Sequence, residues 1–76
     1  MRFAAVYQRA EANWAGYVPD CPTCVATGQT LDQVQKQLTE AVEVHLSTLR
    51  SQGLNLPTPE TAVGYLEVEP PPLPGE

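Results

Sequence analysis

Residues Gly16 to Thr30, GYVPDCPTCVATGQT, set strand, turn, strand and helix-start signals end to end, leaving few ways to fold. Tyr17 and Val18 favour extended backbone, whereas Pro19 and Pro22 fix φ and push the chain out of the strand. Val25 to Thr27 are suited to resume it, and Gly28 permits a backbone angle that other residues resist. Thr30 is a good helix N-cap, with Gln33 three residues on as a capping box requires. The order predicts a small β-β-α frame. The same stretch holds both cysteines, so any enzymatic reading has to begin there.

On the N-terminal side, Phe3 to Tyr7 is an apolar, β-compatible run that reads as the first strand. The polar segment Gln8 to Asn13 separates it from Trp14 to Val18, a spacing that suggests an antiparallel hairpin. Cys24 to Thr27 reads as a short third strand, completing a meander. From Leu31 the period changes. Leu31, Val34, Leu38, Ala41, Val42, His45, Leu46 and Leu49 recur every three or four residues, which predicts an amphipathic helix to Gln52. Gly53 is placed to end it in the left-handed region, and Asp32 and Arg50 suit the helix dipole. A proline-punctuated crossing, Leu54 to Glu60, leads to Ala62–Val68, which reads as a last strand able to extend the sheet or pair with another chain. Pro70 to Glu76, PPPLPGE, is an extended or disordered end. Residues 1–69 therefore form one domain and 70–76 a proline-rich tail.

A chain of 76 residues buries only about 60% of its unfolded surface, so its core is marginal and self-association is a reasonable expectation. No apolar run of membrane-spanning length is present, and no hydrophobic leader follows Met1–Arg2, which predicts a cytoplasmic protein. The net charge of −5 argues against direct nucleic-acid binding, because Arg2, Arg9, Lys36 and Arg50 are the only Lys and Arg and lie scattered. An acidic balance suits a basic protein partner, or simply keeps the chain in solution.

Motifs for chemistry are sparse. Cys21-Pro22-Thr23-Cys24 has the spacing of a redox pair or half a zinc site. A redox pair needs a thiolate held at a helix N-terminus, and this one precedes the helix by several residues. His45 alone does not complete a zinc site, so plain turn and core cysteines are the preferred reading, with a redox or metal role as the alternative. His45 lacks a nucleophile to serve and reads as a partly buried structural residue. Asp20 is the lone carboxylate of the strand–turn block; it reads as a side-chain cap on its own turn. Metal-dependent nuclease chemistry needs several convergent carboxylates. Glu40 and Glu43 fall on the outward helix face. Trp14 and Tyr17 read either as core or as interface anchors. We therefore expect no catalytic residue, no metal and no cofactor.

Taken together, Gly16, Tyr17, Pro19, Asp20, Pro22, Cys24, Gly28, Thr30, Glu40, Ala41, Gly53, Pro57 and Pro59 resemble the HicB-like antitoxin family. The likeness spans about Phe3 to Pro59. Cys21 and Thr23 stand where Leu and Gly are more usual, so the CxxC reads as a substitution within the pattern rather than a motif. The resemblance implies an α+β domain of β-β-β-α-β order, a partial ribonuclease-H-like fold. It also implies a non-catalytic antitoxin that sequesters a small basic HicA-like toxin and covers the site where that toxin binds and cleaves mRNA. Dimers or tetramers are expected from it. Partner contacts fall on Trp14, Tyr17 and Asp20, and the structural motif on Gly16, Pro19, Pro22, Gly28, Thr30 and Gly53. Many relatives carry a C-terminal DNA-binding domain. Here the residues after Pro57 are too few and too proline-rich, so direct DNA binding is not expected. The rival readings are an orphan ribonuclease-H-like domain with weak metal-dependent nuclease activity, and a CxxC redox or zinc protein.

Overall fold

A computed structural model describes residues 1–75 and, among them, three strands and one helix: β1 (Val6–Arg9), β2 (Trp14–Val18), β3 (Cys21–Gly28) and α1 (Leu31–Ser51). The strands form one antiparallel sheet in the order β1-β2-β3, so β1 and β3 each keep a free edge. The expected α+β meander with one packed helix is therefore present. The strand limits differ.

The first strand begins at Val6 rather than Phe3 and runs on to Arg9. Its register pairs Val6 with Tyr17 and Arg9 with Trp14. Continued backward, that register sets Ala4 opposite Pro19 and Phe3 opposite Asp20, where β2 has already turned and proline has no N–H to give. At the other end, the Ala10 N–H donates to the Asn13 carbonyl at 2.8 Å, closing a hairpin loop shorter than the polar stretch suggested. β3 in turn begins at Cys21 instead of Cys24. A register shift between Tyr17 and Val18 absorbs the extra residues, and Pro22 is tolerated because it lies on an edge strand.

The helix is bounded as its sequence predicts. Thr30 is extended (φ −130°, ψ 157°), and its Oγ1 accepts the Gln33 N–H at 3.2 Å. Gln33 reaches back to the N–H of Gln29 at 2.9 Å, one residue earlier than a standard capping box. At the far end Gly53 takes φ +71°. Its N–H donates to the Arg50 carbonyl, and Leu54 donates to Leu49, the paired bonds of a Schellman motif.

Val34 and Leu38 of α1 are buried against Val18, Cys21 and Cys24, and Phe3, Ala5, Tyr7, Trp14, Ala26, Ala41 and Val42 surround them. Gly16 makes this packing possible. A Cβ there would stand 2.8 Å from Val34 Cγ1 and 3.0 Å from Leu38 Cδ1. Gly28 sits in a tight space as well, since its Cβ would meet Gln33 and Val34 within 3.1–3.3 Å; its φ is not positive, contrary to expectation.

The predicted last strand is absent among the described residues: Ala62–Val68 belongs to no sheet. The observed order is β-β-β-α, and the fourth strand of the expected ribonuclease-H-like arrangement is not formed. In its place the segment runs out from the domain. The radius of gyration is 16.8 Å and the longest extent 62 Å, against a radius of about 11 Å for a compact chain of this length. Glu76, the last residue of the predicted tail, lies outside the described residues.

Candidate interaction surface

The predicted contact residues do not converge. Gly16 and Val18 are buried toward the helix, so the intervening Tyr17 points to the opposite face, where it is 43% exposed and pairs with exposed Val25. Trp14 is half-buried and packs against the core. The Arg9 guanidinium lies 6.0 Å from its ring centroid, at the reach of a cation–π contact. Tyr17 and Trp14 thus serve different faces of one strand. Asp20 is at the other end of β2, in the turn leading into β3.

Asp20 has a partner the sequence did not suggest. Its Oδ2 accepts the N–H of Glu60 at 3.1 Å and of Thr61 at 3.0 Å, and its Oδ1 accepts the Thr61 hydroxyl at 3.0 Å. The carboxylate therefore anchors a segment forty residues away, instead of capping its own turn. The Thr61 N–H is the chief cause of a carboxyl pKa held below its ordinary 3.8; desolvation opposes it, and the Thr61 hydroxyl and Glu60 N–H reinforce it. Little in the sequence announces this clip: the turn aspartate and the Thr-Pro-Glu-Thr string at 58–61 lie about forty residues apart.

The two cysteines are joined in a disulfide, each about 2% exposed. Both lie in the core, and the bond between them goes beyond the plain turn and core cysteines of the preferred reading. His45 is half-buried beside Cys24, Ala41 and Val44 along a shallow groove at the β3 edge. No three His, Cys, Asp or Glu side chains cluster as a metal site would need, among the described residues. Nor is any helix among them long and apolar enough to cross a membrane.

Besides the sheet face of Tyr17 and Val25, two further surfaces are open to a partner. Along the exposed side of α1, Asp32, Glu40 and Glu43 share a face with Lys36, Gln35 and Thr39. Beyond the Asp20 clip, Val63, Tyr65, Leu66 and Val68 are 64–97% exposed. The sequence reads Ala62–Val68 as a strand able to extend the sheet or pair with another chain; among the described residues it joins no sheet and stands exposed.

No curated protein and no solved structure matches the chain. A family model, the HicB-like antitoxin of bacterial toxin–antitoxin systems, matches residues 3–71. That span takes in every strand, the helix, the Asp20 clip and the exposed segment beyond it. The chain belongs to the HicB-like antitoxin family.

Proposed function

We propose that this protein is a non-catalytic antitoxin that binds a small basic HicA-like toxin and covers the surface on which that toxin holds mRNA. Family membership over residues 3–71 carries the reading. The net charge of −5 supports it, since an acidic domain is drawn to the cationic groups an RNA-binding surface must carry. Inhibition is steric: the folded domain occupies the RNA path, and carboxylates such as Asp32, Glu40 and Glu43 replace phosphates. Trp14, Tyr17 and Asp20 are the proposed contacts, and Tyr17 is the more exposed of the two aromatics.

Residues 1–69 act as the binding unit, with 70–76 as a terminal segment, in a cytoplasmic homo-oligomer (dimer or tetramer). Operator binding is not assigned to these residues, because a helix-turn-helix needs two helices and the described residues hold one.

Co-expression with any small basic protein encoded beside it tests the proposal. A stable complex and rescue of growth are expected. Failure of both sinks the assignment. So does a magnesium- or manganese-dependent ribonuclease activity of the purified protein that Asp20→Asn abolishes.

A further inference from the structure

Cys21 and Cys24 are both buried, although they stand three positions apart. On a regular strand that spacing sends side chains to opposite faces and sets the Cα atoms about 10 Å apart. Here the two Cα atoms are 5.5 Å apart. The β2–β3 ladder shows why: it passes from Tyr17 opposite Val25 to Val18 opposite Cys21, a step of one residue on β2 and four on β3. Pro22, Thr23 and Cys24 are the surplus, and the bond between the cysteines closes the excursion they make. We propose that this bond is a redox-controlled latch. Formed, it holds the turn in the shape that lets Asp20 grip Glu60 and Thr61; opened, it releases the C-terminal segment.

Pro22 has no N–H to give to a ladder, and the Thr23 hydroxyl lies 3.8 Å from Cys21 Sγ, a weak sulfur contact. The covalent bond is therefore the strongest tie across the excursion. Asp20 directly precedes Cys21, so what moves Cys21 moves the carboxylate. When the bond opens, the sulfurs part to van der Waals separation, about 3.5–4 Å. Inward there is no room for this. Val34, in the same cluster, is fully buried, and the sheet–helix contact at Gly16 has no space for a methyl. The turn side is open, since Pro22 and Thr23 are exposed. The displacement goes into the turn that carries Asp20. Its three hydrogen bonds, at 3.0–3.1 Å, are lost once stretched to about 3.6 Å. The segment bearing exposed Tyr65, Leu66 and Val68 then loses this anchor.

The exchange balances with one reagent class. Two cysteine thiols give two electrons and two protons to a small-molecule disulfide such as oxidised glutathione, through a mixed disulfide, and two small thiols leave; reduction by a thiol pool is the reverse. In the cytoplasm, where the protein is proposed to act, such a pool keeps most cysteine pairs open, and bonded pairs there are usually transient or redox-sensing. That location is the one part of the proposed function on which the latch draws. With each cysteine about 2% exposed, exchange waits on an opening of the core. The state is therefore set as the chain folds and reset slowly.

Amide exchange on the full chain tests the latch without a toxin, so its failure would leave the antitoxin reading standing. One sample is oxidised; the other is unfolded, reduced with a phosphine and refolded under the same reductant. At neutral pH, Glu60 and Thr61 should exchange about tenfold faster or more in the reduced chain, while Val34 and Leu38 keep their protection. Equal exchange at Glu60 and Thr61 in the two states overturns the proposal. So does loss of helix protection on reduction, which would make the bond a structural staple and not a latch. Equilibration against graded mixtures of reduced and oxidised glutathione, approached from both states, should give bonded and open chains together within the series. A chain wholly bonded or wholly open throughout also overturns it.

Discussion

Asp20 and Thr61 form a two-bond lock: one carboxylate oxygen takes the Thr61 N–H and the other its hydroxyl, both at 3.0 Å. Glu60 adds its own N–H to the first oxygen. An ionised carboxylate is a stronger acceptor for these donors than a neutral one, which is why its pKa is lowered. The lock joins the strand–turn block to the C-terminal segment, forty residues further along the chain.

Its pH dependence has a definite sign. A carboxyl whose pKa is lower in the folded state contributes attachment that is present in full above its unfolded value, near 4, and is lost as pH falls through the lower folded value. Amide exchange at Glu60 and Thr61 should therefore be slow at neutral pH, relative to their unanchored neighbours. Protection should vanish on acidification below about pH 4, while helix amides such as Leu38 stay protected. Asp20→Ala should abolish the protection at neutral pH. Equal protection in wild type and variant would show that the lock does not hold in solution.

Gly16 lies where the sheet meets the helix, and no side chain fits between them. Gly16→Ala would drive a methyl to within 2.8 Å of Val34 and 3.0 Å of Leu38, both buried core residues. A loss of about 1–3 kcal/mol in denaturant-induced unfolding is expected from such overpacking. The paired change Gly16→Ala/Val34→Ala should recover less than the full loss, because it also empties part of the core.

Cys21 and Cys24 are each about 2% exposed, so a reductant has no direct path to either sulfur in the folded domain. Reduction should follow the opening of the core: slow in buffer, and accelerating with denaturant in step with the unfolding transition. Mass-shift labelling of freed thiols over a denaturant series measures this. Rapid reduction without denaturant would mean that the pair is reached through a local opening of the β2–β3 turn.

The meander and the helix were legible because their signals are local. Proline breaks, a capping threonine, a terminal glycine and a three-to-four apolar period act within a few residues of one another. Strand limits were less legible, since β1 is bounded by what its neighbour can offer: Pro19 opposite Ala4 ends a ladder that Phe3–Ala5 could otherwise join. The same holds at Ala62–Val68. Its composition states a capacity for strand, but a strand exists only where an edge receives it. Asp20 escaped for a related reason. A turn aspartate normally serves the residues beside it, and nothing in the order of residues shows that Thr61 returns to that turn. For Trp14 and Tyr17, which read either as core or as interface anchors, alternation along β2 divides the roles: Trp14 packs on the core and Tyr17 faces out.

Thr30 and Gly53 end the helix by different means, so their loss should be separable. Thr30→Ala removes the acceptor of the Gln33 N–H and leaves an amide without its side-chain partner, at a cost of about 1 kcal/mol. Gly53→Ala keeps every hydrogen bond available but forces a Cβ to tolerate φ +71°, a penalty of about 1 kcal/mol paid in backbone conformation. Thermal or chemical unfolding would register similar losses for both. Helix-end amide exchange would tell them apart: Gln33 should lose protection in Thr30→Ala alone. In Gly53→Ala the Gly53 and Leu54 bonds to Arg50 and Leu49 should fray instead. Because the segment leading to the Asp20 lock begins at Leu54, that fraying should also loosen Glu60 and Thr61. Unchanged protection there would show that the lock holds independently of the helix end.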